Sequence, residues 1–154
     1  MEENLGRLEV TTANGDIDND GDIDQIFTFG GRSFSVWTTT GDLVFDSGNM
    51  LDLQSASLGT YPDGRSDAKG TEPESVVTQT VGDFVYAFVG LERSGDVFVY
   101  NITNPANPIF LQSLANSFPE GLLVVPASES PNDKDLLIVS NEGGDDEGIV
   151  IFSK

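Results

Sequence analysis

Pro73-Glu74-Ser75-Val76-Val77 returns 46 residues later as Pro119-Glu120-Gly121-Leu122-Leu123. Each copy opens an apolar run of strand length. Each is followed by a second apolar run that ends on a glutamate, Phe88-Val89-Gly90-Leu91-Glu92 in one case and Ile138-Val139-Ser140-Asn141-Glu142 in the other. The run after that closes on an aromatic residue, Tyr100 or Phe152. Ile26 to Arg32 followed by Phe34 to Trp37 reads as the same hairpin once more, without the glutamate. A period in the forties with about four strands per unit is the pattern of β-propeller blades, repeat units that bury their apolar faces only against one another.

Outward from the repeat, apolar runs of strand length recur at Leu8 to Thr12, Leu43 to Phe45, Val97 to Tyr100 and Ile109 to Leu111, with Gly, Asn, Asp and Pro between them. No segment shows sustained helical periodicity, so the fold expected is all-β. Phe84 to Val89, Leu136 to Val139 and Ile149 to Phe152 are apolar at every position, which requires strands buried on both faces. The reading is a single unit over residues 1–154, a partial β-propeller of about three four-stranded antiparallel blades at 8–53, 74–113 and 120–152. The stretch from Gln54 to Glu72 is read as the crossing between the first two blades. Asn104 to Pro108 is read as the turn between a third strand and an outer one.

With 7 Lys plus Arg against 26 Asp plus Glu, the net charge of −19 repels nucleic acid and anionic lipid. The absence of Cys and His excludes disulfides, thiolate nucleophiles, histidine triads and the usual zinc ligands within this chain. No apolar stretch is long enough to cross a bilayer, and Met1 to Arg7 lacks the pattern of an export leader. The chemistry left is that of carboxylates, hydroxyls, Arg, Lys and hard cations.

Asp16-Ile17-Asp18-Asn19-Asp20-Gly21-Asp22-Ile23-Asp24 places five carboxylates in nine residues around a turn glycine. An EF-hand would need Glu at loop position twelve, where Phe27 stands. With strands on both flanks, this reads as a hairpin-type calcium loop, with Asp16, Asp18, Asp20, Asp22 and Asp24 as candidate ligands. Oxygen-only donors on a flexible loop favour calcium over magnesium. Glu74 and Glu120 open innermost strands, and Glu92 and Glu142 end the next ones. Such a carboxylate ring could bind a cation, work as an acid and base pair, or be hydrated. Arg65, Lys69 and Arg32 are candidate anchors for an anionic ligand or serve charge balance. Glu92 with Arg93, and Glu72 with Arg65, read equally well as surface ion pairs of little consequence. Asn101-Ile102-Thr103 has the form of a glycosylation acceptor.

The Asp16 loop resembles those of integrin α-subunit and FG-GAP propellers. The stretches Gly15 to Asp24, Phe29 to Trp37, Arg65 to Glu74, Tyr86 to Arg93 and Val99 to Pro108, together with Pro119 to Leu122 and Ser140 to Glu142, resemble the choice-of-anchor I family. The sequence departs from that pattern at Ala68, Thr71 and Ser75, where Asp, Pro and Gly are expected. The resemblance implies an exported bacterial propeller, held at the surface by varied anchors and sometimes labelled alkaline phosphatase-like. The function expected is a calcium-binding propeller segment acting as a binding or scaffold module outside the cell, in the periplasm or on the surface. The rival is part of a calcium-dependent phosphoesterase with catalytic residues unassigned. Three blades cannot close a ring, so the partners expected besides calcium are remaining blades or another copy of the chain, with no nucleic acid and no membrane insertion.

Overall fold

A computed structural model describes residues 7–143 and 148–153; residues 1–6, 144–147 and 154 of the expected single unit, including most of the opening Met1 to Arg7 stretch, lie outside the described part. The strands are β1 (Val10–Thr11), β2 (Phe27–Thr28), β3 (Ser35–Trp37), β4 (Leu43–Asp46), β5 (Pro73–Val81), β6 (Phe84–Leu91), β7 (Asp96–Asn101), β8 (Ile109–Ala115), β9 (Pro119–Val125), β10 (Leu136–Asn141) and β11 (Gly148–Ser153). All pairings are antiparallel, in two hairpins (β1-β2 and β3-β4), a four-stranded sheet (β5-β6-β7-β8) and a three-stranded sheet (β9-β10-β11). The fold is therefore all-β, but four strands occur in one sheet. The stretch 8–53 forms two separate hairpins, and β11 has a neighbour on one edge among the described residues.

The segment between β4 and β5 also differs from the expected structureless crossing. It carries a helix, α1 (Met50–Leu58), and a 3₁₀ turn at Asp63–Arg65. Met, Leu, Gln and Ala favour the helix, and Gly59 stops it in the left-handed region at φ 78°. Only Leu51 and Ser55 are buried, one turn apart. Two buried positions in nine residues make no stripe for periodicity to reveal.

Both faces of the four-stranded sheet are covered, which is why β6 reads as a continuous apolar run. On one face Ala87, Val89, Leu91, Phe98 and Tyr100 pack with Leu51 of α1 and with Phe34 ahead of β3. On the other, Val77, Phe88, Val97 and Leu114 meet Leu122, Val124, Leu137, Val139 and Phe152 of the three-stranded sheet. A bulge leaves Leu111 of β8 without a partner opposite β7, so Phe110 joins the first face and Leu114 the second.

The two Pro-Glu stretches take the same local backbone arrangement. Pro73 pairs with Leu91 and Ser75 with Gly90, leaving Glu74 as the extra residue of a bulge; Pro119 pairs with Asn141 and Gly121 with Ser140, leaving Glu120 the same way. The residues just before the prolines, Glu72 at φ 52° and Phe118 at φ 47°, are both left-handed. Next to each bulge a glycine faces a serine from opposite strands. A Cβ on Gly90 would lie 2.3 Å from Ser75 Oγ, and one on Gly121 would lie 2.6 Å from Ser140 Oγ. One small space is thus filled from β5 in one sheet and from β10 in the other. Ser75 Oγ is buried and has no hydrogen-bond partner among the described residues, so it contributes bulk rather than bonding. Gly90→Ala is expected to cost about 1–3 kcal/mol by overpacking, and adding Ser75→Gly to recover most of it, as measured by urea denaturation. Strictly additive costs would disprove the shared space.

Candidate functional site

The equivalent ends of the two sheets lie side by side, β5 running in contact with β9, and this juxtaposition gathers five glutamates. Carboxylate oxygens of Glu72, Glu74 and Glu92 lie within 4.8 Å of one another, as do those of Glu92, Glu120 and Glu142, so Glu92 belongs to both trios. The bulges turn Glu74 and Glu120 toward this corner. The strand ends are fixed by matching backbone bonds: the Glu92 N–H donates to the Glu72 carbonyl at 2.9 Å, and the Glu142 N–H donates to the Phe118 carbonyl at 3.1 Å. All four glutamates picked out by the repeat, Glu74, Glu92, Glu120 and Glu142, are brought together.

The fifth, Glu72, is the one the sequence undervalued. Far from a surface ion pair, its carboxylate is buried and receives Arg65 Nε at 3.1 Å, Lys69 Nζ at 3.0 Å and Arg93 Nε at 3.7 Å, with a second, short contact from the Arg65 guanidinium. Burial pushes this carboxyl up, but the hydrogen bonds and charges of Arg65 and Lys69 outweigh it and leave it below the ordinary value. Arg65 and Lys69 are accordingly engaged within the protein, Lys69 also reaching Glu74 at 3.4 Å. Arg93 pairs with Glu92 at 2.9 Å and lies 6.0 Å from the centre of the Phe118 ring, bridging the two repeat units.

The second trio is different. Burial, with the charges of Glu74 and Glu72 opposing that of Arg93, raises the Glu92 carboxyl. The hydrogen bond shared with Glu142, then burial and neighbouring charge, raises that of Glu120. Such a group of oxygens holds either a proton between carboxyls or a hard cation.

Arg32, the other cation considered for a ligand, is a structural clamp. It donates to the Ser66 and Ala68 carbonyls at 2.7 and 3.1 Å and pairs with Asp52 of α1 at 3.3 Å. Gly70, at φ 65°, is required beside it, since a Cβ there would lie 2.9 Å from the guanidinium. The departures from the family pattern are absorbed locally: Ala68 serves through its carbonyl, and the Thr71 hydroxyl donates to Asp52 at 2.9 Å.

The aspartate loop caps the β1-β2 hairpin. Oxygens of Asp16, Asp18 and Asp24 converge within 4.8 Å. The loop's own backbone orients them: Asp20 and Gly21 N–H groups donate to Asp16 at 3.1 and 3.0 Å, and the Ile17 N–H donates to Asp24 at 3.0 Å. Asp20 instead accepts the Asp22 N–H at 3.1 Å, and neither Asp20 nor Asp22 joins the trio. Among the described residues no Lys or Arg pairs with any of the five. Three uncompensated carboxylates converging in a hairpin loop fit a hard divalent cation.

Stacked antiparallel sheets, two of them opening on a Pro-Glu bulge beside a shared carboxylate corner, define an all-β module. The model of the choice-of-anchor I domain matches residues 1–105, and the chain belongs to that family, a module of exported or surface type. It is also similar to Gigasin-3a of Magallana gigas, at 30% identity over 182 residues, covering 95% of this chain and 63% of the relative's length. No solved structure matches the chain. No described helix is long and apolar enough to cross a membrane.

Proposed function

We propose that the chain is a calcium-binding β-propeller segment of an exported or surface protein, working as a binding or scaffold module. The observation that carries the reading is the convergence of Asp16, Asp18 and Asp24 in a loop whose backbone already orients their carboxylates. The blade arrangement is supported by the two-faced packing of the β5–β8 sheet. The cation would tie β1 to β2, a pairing of only two residues on each strand.

Extracellular calcium modules bind at about 0.1–1 mM, so 5 mM calcium should stabilise the fold by about 1–2 kcal/mol and raise the melting temperature by roughly 3–8 °C. Asp16→Ala and Asp24→Ala should each abolish the shift, whereas Asp22→Ala should leave most of it. An identical melting curve in chelator and in excess calcium rejects the reading.

The phosphoesterase reading is favoured by one observation, the Glu120–Glu142 carboxyl pair beside Glu92. Against it, the Arg and Lys side chains that would hold a phosphate are engaged by Glu72. Calcium-dependent turnover of a phosphomonoester, lost in Glu120→Gln, would reverse the preference.

A further inference from the structure

We propose that Asn14-Gly15 is a modification site, where Asn14 deamidates through a cyclic imide with water as the co-reactant and the product unfastens the aspartate loop. The pair stands at the foot of that loop and is the one Asn-Gly in the chain. The fold requires the glycine. A Cβ on Gly15 would lie 2.9 Å from the Gln25 carbonyl oxygen and 2.9 Å from Ile23 Cγ2. Gly15 is accordingly buried, whereas Asn14 is exposed. The same missing side chain leaves the Gly15 nitrogen unscreened against attack on its neighbour.

Cyclisation needs a carboxamide and a backbone nitrogen that nothing else holds. Among the described residues the Asn14 side chain makes no hydrogen bond, and the Gly15 N–H has no acceptor. Gly15 N attacks Asn14 Cγ and loses its proton to base; the bond from Cγ to the side-chain nitrogen breaks, and ammonia leaves with a proton from solvent. Water then opens the succinimide. Opening at the side-chain carbonyl gives ordinary aspartate, and opening at the main-chain carbonyl gives isoaspartate, whose backbone is longer by a methylene. Asn116-Ser117 is the internal comparison. A small residue follows there too, but the Asn116 and Asn141 carboxamides donate to each other at 2.9 and 3.0 Å, so cyclisation must first break both bonds.

The consequence lies across the hairpin. The Asp24 and Gln25 N–H groups donate to the Gly15 carbonyl at 3.0 and 3.1 Å, and the Asp24 carboxylate accepts the Ile17 N–H at 3.0 Å. Isoaspartate directly ahead of Gly15 displaces that carbonyl, releases both amides and draws Asp24 away from Asp16 and Asp18. Ordinary aspartate adds a charge but keeps the backbone length and both bonds. None of this depends on the loop holding calcium.

The test ages the full chain in chelator at mildly alkaline pH, then unfolds it, cleaves it after Arg7 and Arg32, and follows the 8–32 fragment by chromatography and mass spectrometry. Conversion of amide to acid at Asn14 should give two separable products of equal mass, both absent from Asn14→Gln. The ratio of Asn14 to Asn116 conversion should fall at least about tenfold when the chain is aged unfolded in urea, where the Asn116–Asn141 bonds are gone. Hydrogen exchange on the isoaspartate fraction should show the Asp24 and Gln25 amides losing protection that Asn14→Asp retains. An unmodified Asn14, a ratio indifferent to urea, or equal protection of those two amides in the isoaspartate fraction would overturn the proposal.

Discussion

Phe98→Ala is expected to cost about 3–5 kcal/mol, a large part of the 5–15 kcal/mol that holds a typical domain together. The Phe98 side chain is fully buried, and its ring lies 5.2 Å from that of Phe110, edge to face. It belongs to the cluster in which Leu51 of α1 and Phe34 meet the four-stranded sheet, and Phe34 touches Tyr100 at a ring separation of 5.0 Å. Truncation therefore leaves a cavity where three separate parts of the chain join, bounded by strands that cannot close in without breaking their ladders. Burial there also pushes the Tyr100 phenol up to about 12, so no nearby ionisation compensates at ordinary pH. Ile149→Ala is the control. Ile149 corresponds to Val97, but Val97 is 0% exposed and Ile149 is 70% exposed, so the change should stay within about 0.5 kcal/mol. Chemical denaturation of both variants checks the pair. A Phe98→Ala cost near 1 kcal/mol would mean that the hairpin and helix do not pack on the sheet as described.

Glu72→Gln is expected to cost about 2–3 kcal/mol at neutral pH, below the 3–5 kcal/mol of a fully buried broken pair because the cations are partly solvated. Glu72 is 1% exposed in its side chain, against 42%, 40% and 37% for Arg65, Lys69 and Arg93. The amide keeps the shape but leaves three positive charges converging on a neutral group. Since the folded carboxyl titrates below its ordinary value, its contribution is present above the unfolded carboxylate pKa and is lost as pH falls through the folded one. The gap between native and variant stabilities should accordingly close in acid, which denaturation curves at pH 7 and at about pH 3 would measure. A gap that persists unchanged in acid would assign Glu72 a steric role.

The likeness of the two Pro-Glu stretches was legible because it rests on residue types with backbone consequences. Pro73 and Pro119 start strands, the glutamates after them are bulged, and both signals survive in a linear string. Five aspartates in nine residues announced the loop, but not which of them converge. That is set by the turn at Asn19 and Gly21, both at positive φ, which sends Asp20 and Asp22 away from the trio. Glu72 was misjudged because its partners come from both sides of the chain: Arg65 and Lys69 are local, whereas Arg93 arrives through the pairing of β5 with β6. The repeat held a clue in the alignment of Glu72 with Phe118, but nothing in the letters says that both residues are left-handed. The helix escaped for want of length.

The glycine and serine that face each other beside each bulge restrict how the two units could exchange parts. Joining β5 to β10 would set Ser75 against Ser140, two side chains in a space that holds one. Joining β9 to β6 would set Gly121 against Gly90 and leave that space empty. Recombination within this chain is therefore tolerated when a whole unit moves and penalised when the crossover falls between its first two strands. Segments of this family spliced by unequal crossing-over would be expected to keep their junctions in the connection ahead of the Pro-Glu bulge, as at 102–118, and not in the β5-β6 or β9-β10 turn.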